Sequence, residues 1–420
     1  MEVIEIQPEA TTGLNNIFVV YDSEGCILVF KTSNGYTTNV MRYSNLGGGY
    51  AEEVKDLDRE ATLVRIPLSK DDLGYILEEG SQRYYCWVVN YANHPMSLSG
   101  VRTADSVECD HSVLDIDGSA PIITYYTING QPRTLSREIY VDYTTQEFDQ
   151  NIPGYRNTDV RKVLESLNPI VSFNPPAYCT TSFHISGDRF LRRWGIELEA
   201  ESVNIPPTAV DCKTEAQQDE ISDDEPSNIM KGDDSGLGGS APATINFCAY
   251  TTDGVIHYEW QMSRNPDFDT LDYRFYQQDL EYTFTEEGNF YLRFIGSNSD
   301  GTCETVGDTY TVSIGASALE CPNAFSPNDD GVNDVWKVSY RSLTEFHCEI
   351  FNRNGQKIYG FDNPAEGWDG TWHGKKVKSG VYYYVIVATG ADGKKYKKSG
   401  DINILNSVKY DSTSTPDYRD

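Results

Sequence analysis

A loop near the C-terminal end carries oxygen-bearing side chains at a spacing that suits a hard cation. Residues 328–334 read NDDGVND, and oxygens that alternate around a glycine bend can surround Ca²⁺. The ligands would be Asn328, Asp330 and Asp334. The same side chains could instead close the loop by Asx turns without a metal, and the loop lacks the twelve-residue pattern and terminal Glu of an EF-hand. Calcium is the only cofactor that the sequence suggests, and both interpretations stay open.

No set of residues along the chain has the spacing of a known catalytic site. There is no Ser-His-Asp set, Cys-His pair, phosphate loop or HExxH motif. Ser235 lies among glycines, but no strand-like run precedes it, as a nucleophile elbow requires. Paired glycosidase carboxylates remain an alternative, because residues 1–320 contain 51 Asp and Glu. We predict that the protein is not an enzyme and has no catalytic residues.

The charge of the chain is strongly negative and unevenly distributed. The formal net charge is −30, and residues 1–320 hold 21 Lys and Arg against 51 Asp and Glu. Residues 321–405 are nearly neutral, with 11 Lys and Arg against 10 Asp and Glu. Nucleic-acid binding is excluded, because neutralising phosphates needs a basic face.

The beginning of the chain does not look like a secretory leader. Glu2, Glu5 and Glu9 stand where a signal peptide has a basic segment followed by an apolar one. An exported protein needs such a leader, and in that case we expect Met1 to begin a trimmed mature chain. No run of about 18 apolar residues indicates a membrane span.

The nine cysteines are scattered, and none forms a CxxC pair. With only six histidines, zinc-binding spacing is absent. In an exported protein this pattern indicates sparse disulfides with one thiol left over. Reduced cysteines in the cores are the alternative.

Composition and turn spacing predict an all-β protein. The chain has 34 Gly and 18 Pro, which punctuate it at short intervals, and 29 Tyr, which suit strands with one wet face. Residues 84–91 are typical of a buried strand. Residues 158–167 are the exception, because apolar residues recur there at helical spacing behind Thr158, which could cap a helix.

The segment around Cys248, Trp260 and Cys303 resembles the immunoglobulin pattern, in which a tryptophan packs on an inter-sheet disulfide. The resemblance implies an Ig-like or PKD-like sandwich and a Cys248–Cys303 bond. We accordingly expect tandem Ig-like β-sandwich domains in a multidomain array. The predicted segments are an N-terminal β-sandwich (1–111), a second β-rich domain with one short helix (112–212), an acidic Gly- and Ser-rich linker (213–241), an Ig-like or PKD-like domain (242–316), a C-terminal antiparallel β-sandwich (320–405) and a disordered tail (406–420).

Two hairpins can be predicted in the C-terminal segment. Strand-like runs flank Asn354-Gly355, the pair best able to hold positive φ at both central turn positions, and a second pair of runs flanks a turn that contains Asp392-Gly393. Residues 381–388 are apolar at both alternating sets of positions, which predicts a central strand covered on both faces. The lysines at 394–398 are expected to protect a sheet edge. Cys321 and Cys348 are candidates to join the first two strands.

Four blocks of this segment occur in an order that resembles the gliding-motility-associated C-terminal domain, a sorting signal of the type IX secretion system. The matching residues are Pro322, Asn323, Phe325, Pro327, Asn328, Asp330, Gly331, Asn333, Asp334, Phe351, Asn352, Arg353, Gly355, Trp368, Asp369, Gly370, Gly380, Val381, Tyr382 and Gly400. The chain departs from the family at Asn354, where Trp is frequent, at Asp329, where Gly is usual, and in its extension beyond residue 405.

The resemblance implies an exported protein. Its partners would be the type IX outer-membrane translocon and the associated barrel, and after periplasmic transit it would be secreted or displayed at the cell surface. The upstream domains would serve adhesion or the binding of a surface ligand, either a glycan or a protein. A structural component of a surface filament or export assembly is the alternative, and a glycoside hydrolase is a weaker one.

Overall fold

The computed structural model describes residues 2–47, 50–104, 108–218, 228–230 and 236–405. The predicted tail at 406–420 lies outside these residues. The chain forms two compact units: Met1–Asp211 with Thr252–Val255 and Asn298–Glu304, and Cys212–Thr251 with Ile256–Ser297 and Thr305–Asp420. Among the described residues, no helix has both the length and the apolar character to cross a bilayer.

The first unit is built from short strands, one α-helix and two 3₁₀ turns at Ala10–Thr12 and Tyr91–Asn93. The strands are β1 (Ile4–Ile6), β2 (Asn16–Val20), β3 (Ile27–Lys31), β4 (Asn39–Tyr43), β5 (Glu52–Glu53), β6 (Asp58–Arg59), β7 (Leu63–Pro67), β8 (Leu73–Glu79), β9 (Gln82–Asn90), β10 (Ser97–Thr103), β11 (Ser112–Ser119), β12 (Ile123–Tyr126), β13 (Pro132–Leu135), β14 (Ile139–Asp149), β15 (Gly154–Leu164), β16 (Ile170–Phe173), β17 (His184–Ser186) and β18 (Glu199–Glu201). Helix α1 spans Arg189–Arg193.

A six-stranded sheet of order β1-β2-β9-β8-β4-β5 is buried on both faces. The alternation of strand β9 explains this: Cys86 and Val88 point into a core shared with the small sheet β3-β7-β6. Trp87 and Val89 point the other way, into the largest core of the unit. The predicted buried strand at 84–91 is confirmed, and its uninterrupted apolar run reflects burial on both sides.

The second half of the unit contains the sheets β10-β11-β16, β12-β13 and β15-β14-β17-β18. The helix predicted at 158–167 is wrong, because residues 154–164 form strand β15 and pair with β14 along its whole length. Val160 and Leu164 pack toward the large core, whereas Val163 is exposed, so the true period is two. A long antiparallel partner outweighs a weak helical pattern in residues that are mostly β-branched or polar.

The second unit begins with an Ig-like sandwich. Its strands are β19 (Cys212–Gln218), β20 (Leu237–Gly239), β21 (Ala243–Thr251), β22 (His257–Ser263), β23 (Tyr273–Phe275), β24 (Leu280–Phe284), β25 (Gly288–Ser297), β26 (Glu304–Val306) and β27 (Tyr310–Ile314). Sheet β19-β21-β24 packs on sheet β20-β27-β25-β22-β23 around the fully buried Trp260. Strands β19 and β20 lie inside the range predicted as a linker, so that prediction is corrected for these residues.

The C-terminal domain is a second sandwich. Its strands are β28 (Ala318–Glu320), β29 (Ala324–Phe325), β30 (Ser339–Arg341), β31 (Leu343–Phe351), β32 (Lys357–Phe361), β33 (Thr371–Trp372), β34 (Lys375–Lys376), β35 (Gly380–Gly390) and β36 (Lys395–Ile404). Sheet β29-β36-β35-β31-β32 carries one face of the core. Both predicted hairpins are confirmed, since β31 pairs with β32 and β35 pairs with β36.

Strand β35 is covered on one face only. Tyr384, Ile386 and Ala388 are buried in the core, whereas the opposite face exposes four apolar residues to between 43% and 48% of their surface: Val381, Tyr383, Val385 and Val387. The prediction of a strand covered twice is therefore wrong for the described part of the chain. The lysine-rich start of β36 has no strand on its outer side among the described residues, because β29 pairs only at Asn403 and Ile404.

The cysteine pairing differs from the prediction. The disulfide joins Cys109 to Cys303, and Cys248, Cys321 and Cys348 are free thiols. Strand alternation explains the failure of the Ig-like pair: Phe247 points into the core, so Cys248 faces outward on β21. In place of a disulfide, the ring of Trp260 packs against Phe247 at 5.5 Å between centroids.

A fully buried ion pair organises the first unit around α1. Asp188 Oδ2 accepts hydrogen bonds from Arg137 Nη1 at 2.8 Å and from the Tyr91 hydroxyl at 2.9 Å. Asp188 Oδ1 caps the helix by accepting from the backbone N–H groups of Phe190 and Leu191. Burial raises the pKa of Tyr91, with the Asp188 charge adding to the effect, so the hydroxyl remains a donor.

We expect Asp188→Ala to destabilise this region by about 3–5 kcal/mol, because it leaves the buried Arg137 charge without its counter-ion. Amide hydrogen exchange across β14 and α1 measures the loss. Asp115→Ala is the matched control, since its ion pair with Arg102 is exposed and is worth at most about 1 kcal/mol. Equal protection in the two variants would contradict the role of the buried pair.

Candidate functional site

Two buried tryptophans connect the motif blocks of the C-terminal domain. Trp336 and Trp368 are both fully buried and form a reciprocal backbone bridge, with N–H···O distances of 2.8 and 3.0 Å. Trp336 Nε1 donates to the Pro322 carbonyl, and the Trp368 ring packs on Phe325 and Tyr382 at 5.5 and 5.2 Å. The motif residues at 322–334, at 368–370 and at 380–382 therefore meet at one place.

The loop predicted to bind calcium is closed by its own hydrogen bonds. Asp334 Oδ1 accepts from the backbone N–H groups of Asn328 and Asp329 at 2.8 and 2.6 Å, and Oδ2 accepts from that of Gly331 at 2.7 Å. Asp330 Oδ1 accepts from the N–H of Val332, and its Oδ2 from the side-chain amide of Asn328. The side-chain oxygen of Asn328 accepts from the N–H of Asp330.

These contacts do not fit a cation. N–H hydrogens point at the oxygens that would have to face the metal, and Lys376 Nζ lies 2.8 Å from Asp329 Oδ1, so an ammonium already supplies positive charge to the loop. Burial raises the pKa of Asp334, but the amide hydrogens of Gly331, Asp329 and Asn328 together lower it more, and the net pKa lies below its usual range. We take the Asx-turn interpretation for this loop.

Positive φ angles explain several motif residues. Asp329 has φ 60° and Asn333 has φ 52°, a region in which Asp and Asn are tolerated better than most residues. Asp329 therefore occupies a conformation that glycine adopts without cost, consistent with glycine being usual there. Gly370 has φ 75°, and a Cβ on it would meet Pro327 Cγ at 2.9 Å. Asp369 next to it accepts from the N–H and hydroxyl of Thr371.

The motif residues Asn352 and Arg353, together with those at 380–382, line a groove of about 770 Å³. Asn352, Arg353 and Asn354 line it from the turn after β31, and residues 379–382 line it at the start of the paired strand β35. The hairpin of β33 and β34, with its turn at His373-Gly374, contributes Trp372 and the lysines at 375, 376 and 378. None of the described residues that line the groove carries a carboxylate.

Sequence reasoning missed a contribution from the predicted linker. Asn228 is buried, and its side-chain amide donates to the carbonyls of Val338 and Pro364 at 2.7 and 2.9 Å. Met230 N–H donates to the Tyr340 carbonyl, and Tyr340 N–H donates to that of Asn228. Nothing in the local sequence signals this strand-like attachment, because it depends on a partner more than 100 positions away. Trp336 was also missed, although its alternation with Val338 is that of a buried strand.

A second hollow, of about 560 Å³, lies on the sheet β15-β14-β17-β18 of the first unit. Polar side chains make up much of its lining, beside Tyr143 and Val160. Arg161 makes a bidentate ion pair with Asp142 at 2.7 and 3.0 Å, and the Thr144 hydroxyl donates to Asp159 at 2.8 Å. His184 lies at its edge. The hollow presents hydroxyls, carboxylates and a guanidinium to solvent.

We expect Asp334→Ala to lower the thermal stability of the C-terminal domain, because three backbone N–H groups lose their acceptor. Since the folded pKa of Asp334 is lowered, its stabilisation is complete above the unfolded pKa of about 4 and is lost as the pH falls through the folded value. Calorimetry between pH 2 and pH 7 should show that the variant differs least at the acid end. Addition of Ca²⁺ should leave the unfolding temperature of the unmodified chain unchanged, and a calcium-dependent rise would restore the metal interpretation.

Comparisons with known proteins agree with this architecture. The model of the CHU_C type IX secretion signal domain matches residues 319–404, and that of the fibronectin type III domain matches residues 101–202. None of the curated proteins compared with the chain matches it. Residues 319–404 contain all the motif blocks described above.

Solved structures show only a distant likeness. The three N-terminal domains of the Highly Immunogenic Outer Capsid protein of bacteriophage RB49 are 9% identical, over 75% of this chain and 100% of that chain, with a TM-score of 0.23. Sidekick-1 immunoglobulin domains 1–5 are 13% identical, over 93% of this chain and 79% of that chain, with a TM-score of 0.26. At such TM-scores the likeness has no bearing on function. The family matches do: the chain is an all-β, type IX secreted protein that carries a CHU_C secretion signal domain at residues 319–404 together with fibronectin type III- and Ig-like domains.

Proposed function

We propose that this protein is an adhesin of the bacterial cell surface, exported by recognition of its C-terminal domain and binding a glycan through its first unit. The translocon and its associated barrel would recognise the folded C-terminal domain. The domain bounds 1–111, 112–212, 242–316 and 320–405 belong to the same proposal. The single observation that carries export is the CHU_C match over residues 319–404, with its motif blocks joined at Trp336 and Trp368.

The compact core of the C-terminal domain supports recognition in the folded state. Motif residues such as Trp368 and Asp334 act by holding this core and its loops together, and no group in the domain is arranged for chemistry on a substrate. Recognition therefore uses surface shape and charge, which need a folded domain.

The polar hollow on the first unit supports glycan binding. Sugars offer many hydroxyl groups, and carboxylate, hydroxyl and guanidinium groups in fixed positions can pair with them. The hollow has the size of a small-ligand site, and its side chains are held by hydrogen bonds with one another, so little ordering cost would accompany binding.

For export, we expect a fluorescent reporter fused to residues 317–420 behind a Sec leader to reach the medium or cell surface of a type IX-competent host. In the same host without the outer-membrane translocon, the reporter should remain in the periplasm. The full chain, expressed in parallel, guards against misfolding of the fusion. Retention of both proteins in the periplasm of the competent host would contradict export by this route.

For ligand binding, we expect the purified full chain to bind members of a glycan array. Asp159→Ala should weaken that binding by at least about tenfold, since a hydrogen bond to a charged group contributes about 1.5–3 kcal/mol. Asp115→Ala, on another sheet of the same unit, is the matched control and should bind normally. An array without signal, or equal binding by both variants, would contradict the glycan proposal. Self-association in light scattering without any ligand would favour the structural role instead.

A further inference from the structure

The groove of the C-terminal domain gathers cations that have no partner of their own. Arg353, Lys375 and Lys378 line it, and none of them forms an ion pair with a carboxylate in the described part of the chain. The fourth cation, Lys376, is already paired with Asp329 and donates to the Pro327 carbonyl. Within the described part of the chain, three positive charges without an ion-pair partner surround one concavity whose lining contains no acid, so the site has one sign.

This concentration stands out in a domain whose charges nearly balance, since residues 321–405 hold 11 Lys and Arg against 10 Asp and Glu. Exposed cations in an acidic chain are most easily neutralised by neighbouring acids, as Arg65 is by Asp58 and Glu60. At the groove that neutralisation is missing, so the attraction for an anion is retained. Walls of low dielectric also focus the field within a cleft.

The groove is apolar as well as basic. Ile358 and Tyr382 form part of its wall, and Trp372 stands at its rim with 36% of its surface exposed. Val381 belongs both to the groove and to the exposed apolar stripe of β35, so the apolar surface continues out of the groove along the strand. A suitable ligand therefore combines negative charge with apolar side chains.

We propose that this groove is the docking site for an acidic peptide segment of the export machinery, one in which Asp or Glu alternates with apolar residues. The proposal rests on the proposed function and adds the place and the chemistry of recognition. Carboxylates would meet Arg353, Lys375 and Lys378, with bidentate pairing at the guanidinium, while apolar side chains would cover Trp372 and Val381.

The shape favours a peptide over other anions. A bilayer is flat and needs a flat or convex basic surface, whereas these cations surround a concavity. A long polyanion such as polyphosphate would extend beyond the three cations and gain nothing from Ile358, Tyr382 and Trp372. A short acidic peptide uses both parts of the lining.

The test measures binding of the full chain to a fluorescent octapeptide of alternating Glu and Leu. We expect saturable binding that weakens as salt rises, because the Debye length shortens. Lys375→Glu with Lys378→Glu should weaken it by at least about tenfold and should create binding to the matching Lys and Leu peptide. The matched control is Lys395→Glu with Lys397→Glu, which reverses two exposed lysines of β36 in the same domain and should bind like the unmodified chain.

Three binding results would overturn the proposal: no binding of the acidic peptide, equal loss in the control variant, or equally tight binding of polyphosphate that depends on the same lysines. Export of the two variants separates this proposal from the export proposal. Reduced export of the groove variant alone supports docking at the groove. Normal export of both variants would overturn docking while leaving type IX export intact, whereas failure of the unmodified chain to be exported would count against the proposed function itself. Thermal unfolding confirms that the groove variant is folded.

Discussion

The bridge between Trp336 and Trp368 is the contact on which the C-terminal domain depends. The backbone N–H of each tryptophan donates to the carbonyl of the other. The two indole N–H groups donate to the carbonyls of Pro322 and Thr371. Both rings are fully buried, so their large apolar area is removed from water without leaving a polar atom unpaired. Segments far apart in sequence thereby become one core. This explains why Pro322, Phe325 and Tyr382 belong to one set with Trp368: each of them contacts the tryptophan pair, whereas Asn352 and Arg353 line the groove.

Outside this core, loops are held by side-chain hydrogen bonds to the backbone. The loop at 328–334 contains too little apolar surface to pack, and Asp334 holds it by accepting three backbone N–H groups. In the first unit, Asp188 does the equivalent work at the buried start of α1. In both places one carboxylate accepts hydrogen bonds from backbone N–H groups that would otherwise lack a good partner. Leaving a buried donor without a partner costs more free energy than an ordinary hydrogen bond contributes. Acidic residues that suggest metal binding in the sequence, such as Asp334, therefore hold the fold together as hydrogen-bond acceptors.

The surface of the C-terminal domain differs from that of the rest of the chain. Its exposed apolar stripe on β35, its free cations and its lysine-rich edge all lie on one small sandwich. An exposed apolar strand face favours association, and the lysines beside it discourage indiscriminate pairing at the sheet edge. The proposed recognition of this domain by the export machinery would use such a surface, whereas most of the negative charge of the chain lies upstream of it.

Local patterns determined much of the architecture. Turn pairs such as Asn354-Gly355 predict hairpins, although only Gly355 takes a positive φ and Asn354 does not, contrary to the expected turn. The apolar run at 84–91 requires burial wherever the strand is placed. The all-β class and the sorting motifs follow from such short-range features. The tertiary structure alone decided which strand faces are covered, that residues 158–164 join β14, that Cys303 pairs with Cys109 instead of Cys248, and that Asn228 joins the C-terminal domain. Each of these depends on a partner distant in sequence, and the free energy of a long-range contact is not encoded in the residues around either end.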